Sequence, residues 1–269
     1  MSSVNILTMK TLFLYIFLWI SLLSIGCDDE PQIQGEGQLT IEFDNRVGDD
    51  DLVLGTVYIN SSNETFTLSK LNYYISNIKL RTNDDREFVV PQDSSYFLVM
   101  EDDEESQEVV IKNIPAGDYN QITFTIGVDS VRSKMDITER QGVLDPAQGH
   151  DGMYWTWNSG YIFFKMEGTS PAAPADADHK FYYHIGGYGG YDTPGLNNIR
   201  EATIALGNSV AQVRPNKAPE VHLHVDVQEM FQNPETISIG QHPLVMFAEY
   251  SKTVSANYVN MFKYDHVHN

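Results

Sequence analysis

A period of two runs through most of the chain. Leu39, Ile41 and Phe43 are separated by polar residues, and Ile122, Phe124, Ile126 and Val128 repeat the pattern. Such alternation sends every second side chain to one buried face of a strand and leaves the other face wet. The same reading predicts strands over Leu71–Leu80, Tyr96–Met100, Val109–Ile114, Tyr161–Met166, Lys180–Ile185, Ala202–Leu206 and Val221–Val227. Turn residues interrupt them at Pro115-Ala116-Gly117-Asp118 and from Gly186 to Gly195, and Pro171 to Asp178 is a low-complexity loop. Roughly nine or ten strands at this spacing predict an all-β fold, a single β-sandwich of the immunoglobulin-like, Greek-key type. Only the C-terminal region departs from the rhythm. Val254, Tyr258 and Met261 or Phe262 recur at helical spacing, which predicts one short amphipathic helix from Lys252 to Phe262.

The N-terminus has a different pattern. Lys10 precedes an apolar run from Leu12 to Ile25 that is too short for a membrane span and stops at Gly26-Cys27. This reads as an export signal over residues 1–26. An acidic tether over 27–36, a β domain over 37–263 and a histidine-containing, mobile C-terminal tail over 264–269 are expected to follow. Leu23-Ser24-Ile25-Gly26-Cys27 resembles a bacterial lipobox, and the acidic stretch after it resembles the surface-export signals of Bacteroidetes lipoproteins. Cys27 is therefore the expected lipidation site. The chain is expected to sit on the periplasmic face of the outer membrane or on the cell surface, held by its lipid anchor alone.

Composition narrows the chemistry. A formal net charge of −20 argues against a nucleic-acid partner, because such a surface repels phosphate backbones. With Cys27 the only cysteine, the domain can hold neither an internal disulfide nor a thiolate metal site. No phosphate loop, nucleophile elbow, paired-cysteine motif or His-Glu-x-x-His helix is present, so no enzymatic activity is expected.

What remains is histidine. All eight histidines lie at or after His150. His222 and His224 flank Leu223 in a strand whose apolar positions are Val221, Leu223, Val225 and Val227, so both imidazoles and Asp226 face away from the core. His266 and His268 repeat the spacing near the C-terminus. Either pair alone is as readily explained by a polar strand face as by ligation. Taken together with His150, His184 and the acidic surroundings, His222, His224, His266 and His268 are candidate metal ligands. Neutral imidazole without thiolate suits copper or zinc, and a thioether neighbour would favour Cu(I). The segment around Trp155 and Trp157 adds two of the three tryptophans, and Trp157 is expected to fill the core.

The stretch Gly152-Met153-Tyr154-Trp155-Thr156-Trp157-Asn158-Ser159-Gly160-Tyr161-Ile162-Phe163-Phe164-Lys165-Met166-Glu167-Gly168 resembles the hallmark segment of the MbnP-like copper-binding proteins. Leu71-Asn72-Tyr73-Tyr74-Ile75-Ser76-Asn77-Ile78, Ile126-Gly127-Val128-Asp129-Ser130, Tyr183-His184-Ile185-Gly186-Gly187 and Pro219-Glu220-Val221-His222-Leu223 carry the likeness across nearly the whole domain. The resemblance implies a periplasmic or surface β-sandwich that binds Cu(I) or Cu(II), with no organic cofactor, and serves copper acquisition, storage or handling. It further implies that Trp155 is oxidised to kynurenine by a dihaem enzyme related to cytochrome c peroxidases and contributes to the copper site, with His150 as a neighbouring ligand. A TonB-dependent outer-membrane transporter joins the expected partners. The competing expectation is a non-catalytic lipoprotein that binds carbohydrate or peptide on its Tyr182–Tyr191 surface, its histidines incidental.

Overall fold

Alternation becomes burial in the first strand, where Leu39, Ile41 and Phe43 are fully enclosed and Thr40, Glu42 and Asp44 keep partial exposure. The computed structural model describes residues 34–148, 152–157 and 160–269. Its strands are β1 (Glu36–Val47), β2 (Asp50–Asp51), β3 (Val57–Ile59), β4 (Thr65–Thr82), β5 (Glu87–Val89), β6 (Tyr96–Met100), β7 (Glu108–Pro115) and β8 (Gly117–Ile126) in the first half. The second half supplies β9 (Tyr154–Trp155), β10 (Gly160–Thr169), β11 (Lys180–Gly186), β12 (Arg200–Ala205), β13 (Ala211–Val213), β14 (Glu220–Asp226), β15 (Leu244–Val245) and β16 (Phe262–His268). Every strand expected from the pattern is present, most of them longer than the pattern alone marked.

The strands form two sheets. The smaller has five strands in the order β16-β14-β1-β2, with β7 also paired to β1. The larger has eleven strands along a spine β12-β8-β4-β10-β11-β15. They pack face to face: Phe43 of β1 meets Tyr73 of β4 at 6.2 Å and Phe124 of β8 at 5.7 Å, both edge-on, with Phe262 of β16 closing the cluster. This is the expected sandwich. Offset aromatic packing of this kind adds to the area each ring buries.

The larger sheet is covered on its outer face as well. The segment between β8 and β10 folds back over it, so that Leu144, Met153 and Trp155 pack with Tyr74, Tyr161 and Phe163 in a second cluster. Tyr74 and Tyr161 donate their hydroxyls to the carbonyls of Val143 and Leu144 at 2.9 and 2.6 Å. Burial on both faces explains why β10 is apolar at consecutive positions instead of alternating.

Four short helices lie among the described residues: α1 (Glu104–Gln107), α2 (Ser130–Lys134), α3 (Val227–Gln232) and α4 (Ser251–Tyr258). The helix expected near the C-terminus is α4, extended by a tight turn over Val259–Met261. The tail expected over 264–269 is not a tail. It is most of β16, paired along β14, and Asn269 pins its end by accepting from the Gln212 backbone at 2.7 Å and donating to Val210 at 2.8 Å. The signal, the tether up to residue 33 and Cys27 lie outside the described residues.

One carboxylate ties distant segments together. Glu64 accepts from Asn60 Nδ2 at 2.8 Å, the Ser238 hydroxyl at 2.7 Å and the backbone of Ile239 and Gly240 at 2.7 and 3.0 Å. Burial works to raise this carboxyl, but the four donors outweigh it and hold Glu64 below its ordinary value. A depressed carboxylate stabilises the fold above its unfolded pKa, and that contribution is lost as pH falls through the folded value. Glu64→Gln is therefore expected to cost about 2 kcal/mol near neutrality and to flatten the acid side of the stability profile. Denaturant titrations from pH 7 down to pH 3 check it; an unchanged profile would remove Glu64 from this role.

Candidate metal centre

The outer face of the smaller sheet is built by three adjacent strands. In β14, Val221, Leu223 and Val225 are fully buried, which turns Glu220, His222, His224 and Asp226 outward. β1 runs parallel to β14 with Glu42 beside His222 and Asp44 beside His224. β16 runs antiparallel on the other side, with His266 opposite His222 and His268 opposite Glu220. The β16 ladder then shifts register, so that His266 and Tyr264 pair with consecutive β14 residues and Asp265 has no cross-strand partner. A bulge of this kind re-aims a side chain. Here it turns Asp265 onto the same outward face as the histidines, where its carboxylate meets His224 at 3.1 Å.

The result is a cluster of His222, His266 and His268 whose ligand atoms all lie within 4.8 Å of one another. The rings of His222 and His266 are stacked at 4.1 Å, and His268 stands edge-on to both, at 5.1 and 4.6 Å. Two of the three are oriented by carboxylates. His222 Nδ1 donates to Glu42, and His266 Nδ1 donates to Asp265 Oδ2 at 2.6 Å. A neutral imidazole that donates through Nδ1 carries its lone pair on Nε2, so these bonds set the tautomer that ligation requires. His222 Nε2 is buried and has no hydrogen-bond partner. His266 Nε2 and His268 Nε2 face each other at 3.0 Å, a distance that two lone pairs tolerate only with a proton or a cation between them. The hydrogen bond from His266 also holds the Asp265 carboxyl below its ordinary value.

His224 is on the same face but outside the cluster. Its Nε2 is engaged by Arg46 Nη1 at 2.8 Å and by Asp265 Oδ2 at 3.1 Å, so a guanidinium stands where a metal cation would have to sit. Burial pushes the neighbouring Asp44 carboxyl up, although Arg46 and His224 draw it the other way.

His184 lies elsewhere. It projects from the outer face of the larger sheet, between the buried Tyr183 and Ile185, with Nε2 at 2.8 Å from Glu167 Oε1 and Lys165 Nζ 3.5 Å from the same oxygen. The thickness of the sandwich, on the order of 10 Å between sheet planes, separates it from His222. Burial pushes the His184 imidazole down, and its bond to Glu167 only partly offsets this. Trp155 is on the same outer face as His184. Its ring packs over Gly186, where an added Cβ would come within 2.8 Å of it. The expectation for Trp157 is reversed, since Trp155 is 6% exposed and Trp157 is 65% exposed. β9 ends at Trp155 and the chain turns, so the alternation that would have buried Trp157 stops, leaving its ring 5.4 Å from that of Trp155. His150 lies outside the described residues.

Glu42, Glu220 and Asp265 are absent from the ligand set expected from sequence. Glu220 carries a signal that could have found it, because it shares the His222 face two residues away. Glu42 and Asp265 carry none, since one depends on a parallel pairing and the other on a bulge.

The fold and this face define a two-sheet β protein with a solvent-facing histidine and carboxylate centre. The MbnP family model matches residues 36–247, and the chain belongs to the MbnP family. Among solved structures, MbnP from Methylosinus trichosporium has the same fold, with a TM-score of 0.55 and 15% identity over 80% of this chain and 82% of that one. No curated protein sequence matches the chain. His266 and His268 lie beyond the segment that the family model matches.

Proposed function

We propose that this domain is a copper-binding protein that acquires, stores or passes on the metal outside the cytoplasm. The observation that carries the reading is the convergence of His222, His266 and His268, with the His222 Nε2 buried and unpartnered. Membership of the MbnP family supports a copper-related role. The donor set fits the ion: imidazole suits copper, and the carboxylates behind His222 and His266 fix ring orientation as outer partners of metal ligands do. In this reading copper is the cargo of the domain.

The same proposal includes a lipid anchor at Cys27, at the periplasmic face of the outer membrane or on the cell surface, with a TonB-dependent transporter as a partner. It also includes oxidation of Trp155 to kynurenine by a dihaem peroxidase-like partner, but Trp155 packs on the larger sheet and the three histidines stand on the smaller one, so this kynurenine would not share an ion with His222. The burial of Trp155 against Gly186, Trp157 and Phe247 holds the ring in one place, which a site-selective oxidation needs.

The deciding experiment is elemental analysis of the mature domain purified from its native envelope with no metal added. Near-stoichiometric copper is expected. A protein that holds no copper and takes none up on titration would sink the reading. Peptide mass spectrometry on the copper-loaded protein tests the modification, and an intact tryptophan at position 155 would remove that part.

A further inference from the structure

We infer that the end of the sandwich at which β1 starts is a membrane-docking surface, where Lys112, Arg214 and Lys217 engage the anionic phospholipid headgroups of the membrane that holds the anchor. The inference rests on the reading of Cys27 as lipidated.

Position comes first. The chain enters the domain between two turns. The Gly35 carbonyl accepts from the Ala116 backbone at 2.8 Å, Glu36 pairs with Pro115, and Gly37 is so close to Arg214 that an added Cβ would meet its carbonyl at 2.5 Å. One turn joins β7 to β8 just after Lys112, and the other reverses the chain at Pro215-Asn216 between Arg214 and Lys217. The three cations line one open groove together with Glu36. Cys27 is within about 25 Å of fully extended chain from Gln34. A lipid at Cys27 therefore keeps this end of the domain beside the bilayer.

Charge comes second. Lys112 is exposed, and Arg214 and Lys217 are partly exposed. Arg214 is balanced by Asp118 at 2.6 Å, and Lys217 donates to the neutral Gln212. Even with Glu36 the groove is net positive, in a chain whose formal charge is −20. The far end of β1 is the reverse. Asp49, Asp50, Asp51 and Asp226 gather where β1 stops, and Glu101, which leads into the acidic run to Glu105, is tied to β1 by Asn45 Nδ2 at 3.0 Å. β1 is about 40 Å long, several times the roughly 8 Å over which physiological salt screens a charge. An anionic surface therefore attracts one end and repels the other, and the domain stands on its cationic end. The tether residues Asp28, Asp29 and Glu30 offer such a surface no attraction, which leaves orientation to the cations of the domain. Standing this way lifts the histidine face off the membrane, because Glu42, beside His222, is about 20 Å along β1 from that end.

The test uses the full mature chain, purified from its native envelope and reconstituted into vesicles of phosphatidylcholine alone or mixed with phosphatidylglycerol. An amine-reactive reagent followed by peptide mass spectrometry reads each lysine. On the anionic vesicles Lys112 and Lys217 are expected to be labelled about five-fold more slowly than on the neutral ones, the factor that corresponds to about 1 kcal/mol for a lysine near such a surface. Lys263, 54% exposed and paired across β14 with His224, is the internal control and should be labelled equally on both. Lys112→Glu, at an exposed position, should abolish the slowing at Lys217 and leave the thermal melt unchanged. Equal labelling of Lys112 and Lys217 on both vesicles overturns the inference, as does equal slowing of Lys263 or a Lys217 that stays protected in Lys112→Glu. The intact mass of the same preparation separates the two readings. If Cys27 carries lipid and labelling ignores vesicle charge, the anchor stands and only the docking falls. If Cys27 carries none, both fall together.

Discussion

Copper affinity is expected to fall about 100-fold or more when His222 is replaced by alanine, because the loss of a direct ligand should match or exceed the 10–100-fold that outer partners of metal ligands command. In free energy, 100-fold is about 2.7 kcal/mol of binding. His222 is the pivot of the cluster: its ring stacks on His266, stands edge-on to His268 and carries the buried, unpartnered Nε2. The fold should survive. The apolar residues on either side of it, Val221 and Leu223, remain fully buried, and the His222 side chain faces outward at 19% exposure. Isothermal or chelator-competition titration alongside a thermal melt separates lost binding from lost structure. His184→Ala is the control, expected to leave this centre unchanged because His184 stands on the opposite sheet, paired with Glu167. If His222→Ala bound copper as the parent does, the ion would have to be held elsewhere.

Replacing Phe43 with alanine is expected to destabilise the domain by about 3–5 kcal/mol, a large part of the roughly 5–15 kcal/mol typical of a folded domain. Phe43 is fully buried and packs against Tyr73, Phe124 and Phe262, so its removal opens a cavity where β1, β4, β8 and β16 meet. The effect should reach the metal centre. β1 holds Glu42 against His222, and β16 supplies His266 and His268 immediately beyond Phe262. Copper should therefore protect the Phe43→Ala variant from denaturant less than it protects variants that weaken only the larger sheet, because a perturbed site binds the ion less tightly. Urea unfolding with and without the metal reads both effects. A loss below about 1 kcal/mol would mean that the neighbouring rings close the cavity.

Much of the fold is legible in the order of residues alone. Alternation over Leu39, Ile41 and Phe43 and over Val221, Leu223 and Val225 identifies buried faces, and by elimination it turns His222 and His224 outward. The helical spacing of Val254 and Tyr258 marks α4. These are local signals, because the direction of a side chain in a strand or helix follows from its neighbours along the chain. The same locality misleads for Trp157. Its alternation with Trp155 resembles a strand face, but β9 ends at Trp155 and the chain turns.

Which outward residues meet is a question of register, and register is set by contacts between segments far apart in sequence. The two His-x-His pairs look equivalent along the chain, yet the fold takes both histidines of the second pair and only His222 of the first, because Arg46 from β1 reaches His224. Parallel pairing of β1 with β14 brings Glu42 to His222, and the bulge in β16 turns Asp265 toward His224 and His266. By itself the sequence determined the β class, the buried faces and the outward direction of the first histidine pair. The tertiary structure decided which imidazoles share a site and which carboxylates orient them, since a strand's period of two specifies a face but not the neighbour that the face will meet.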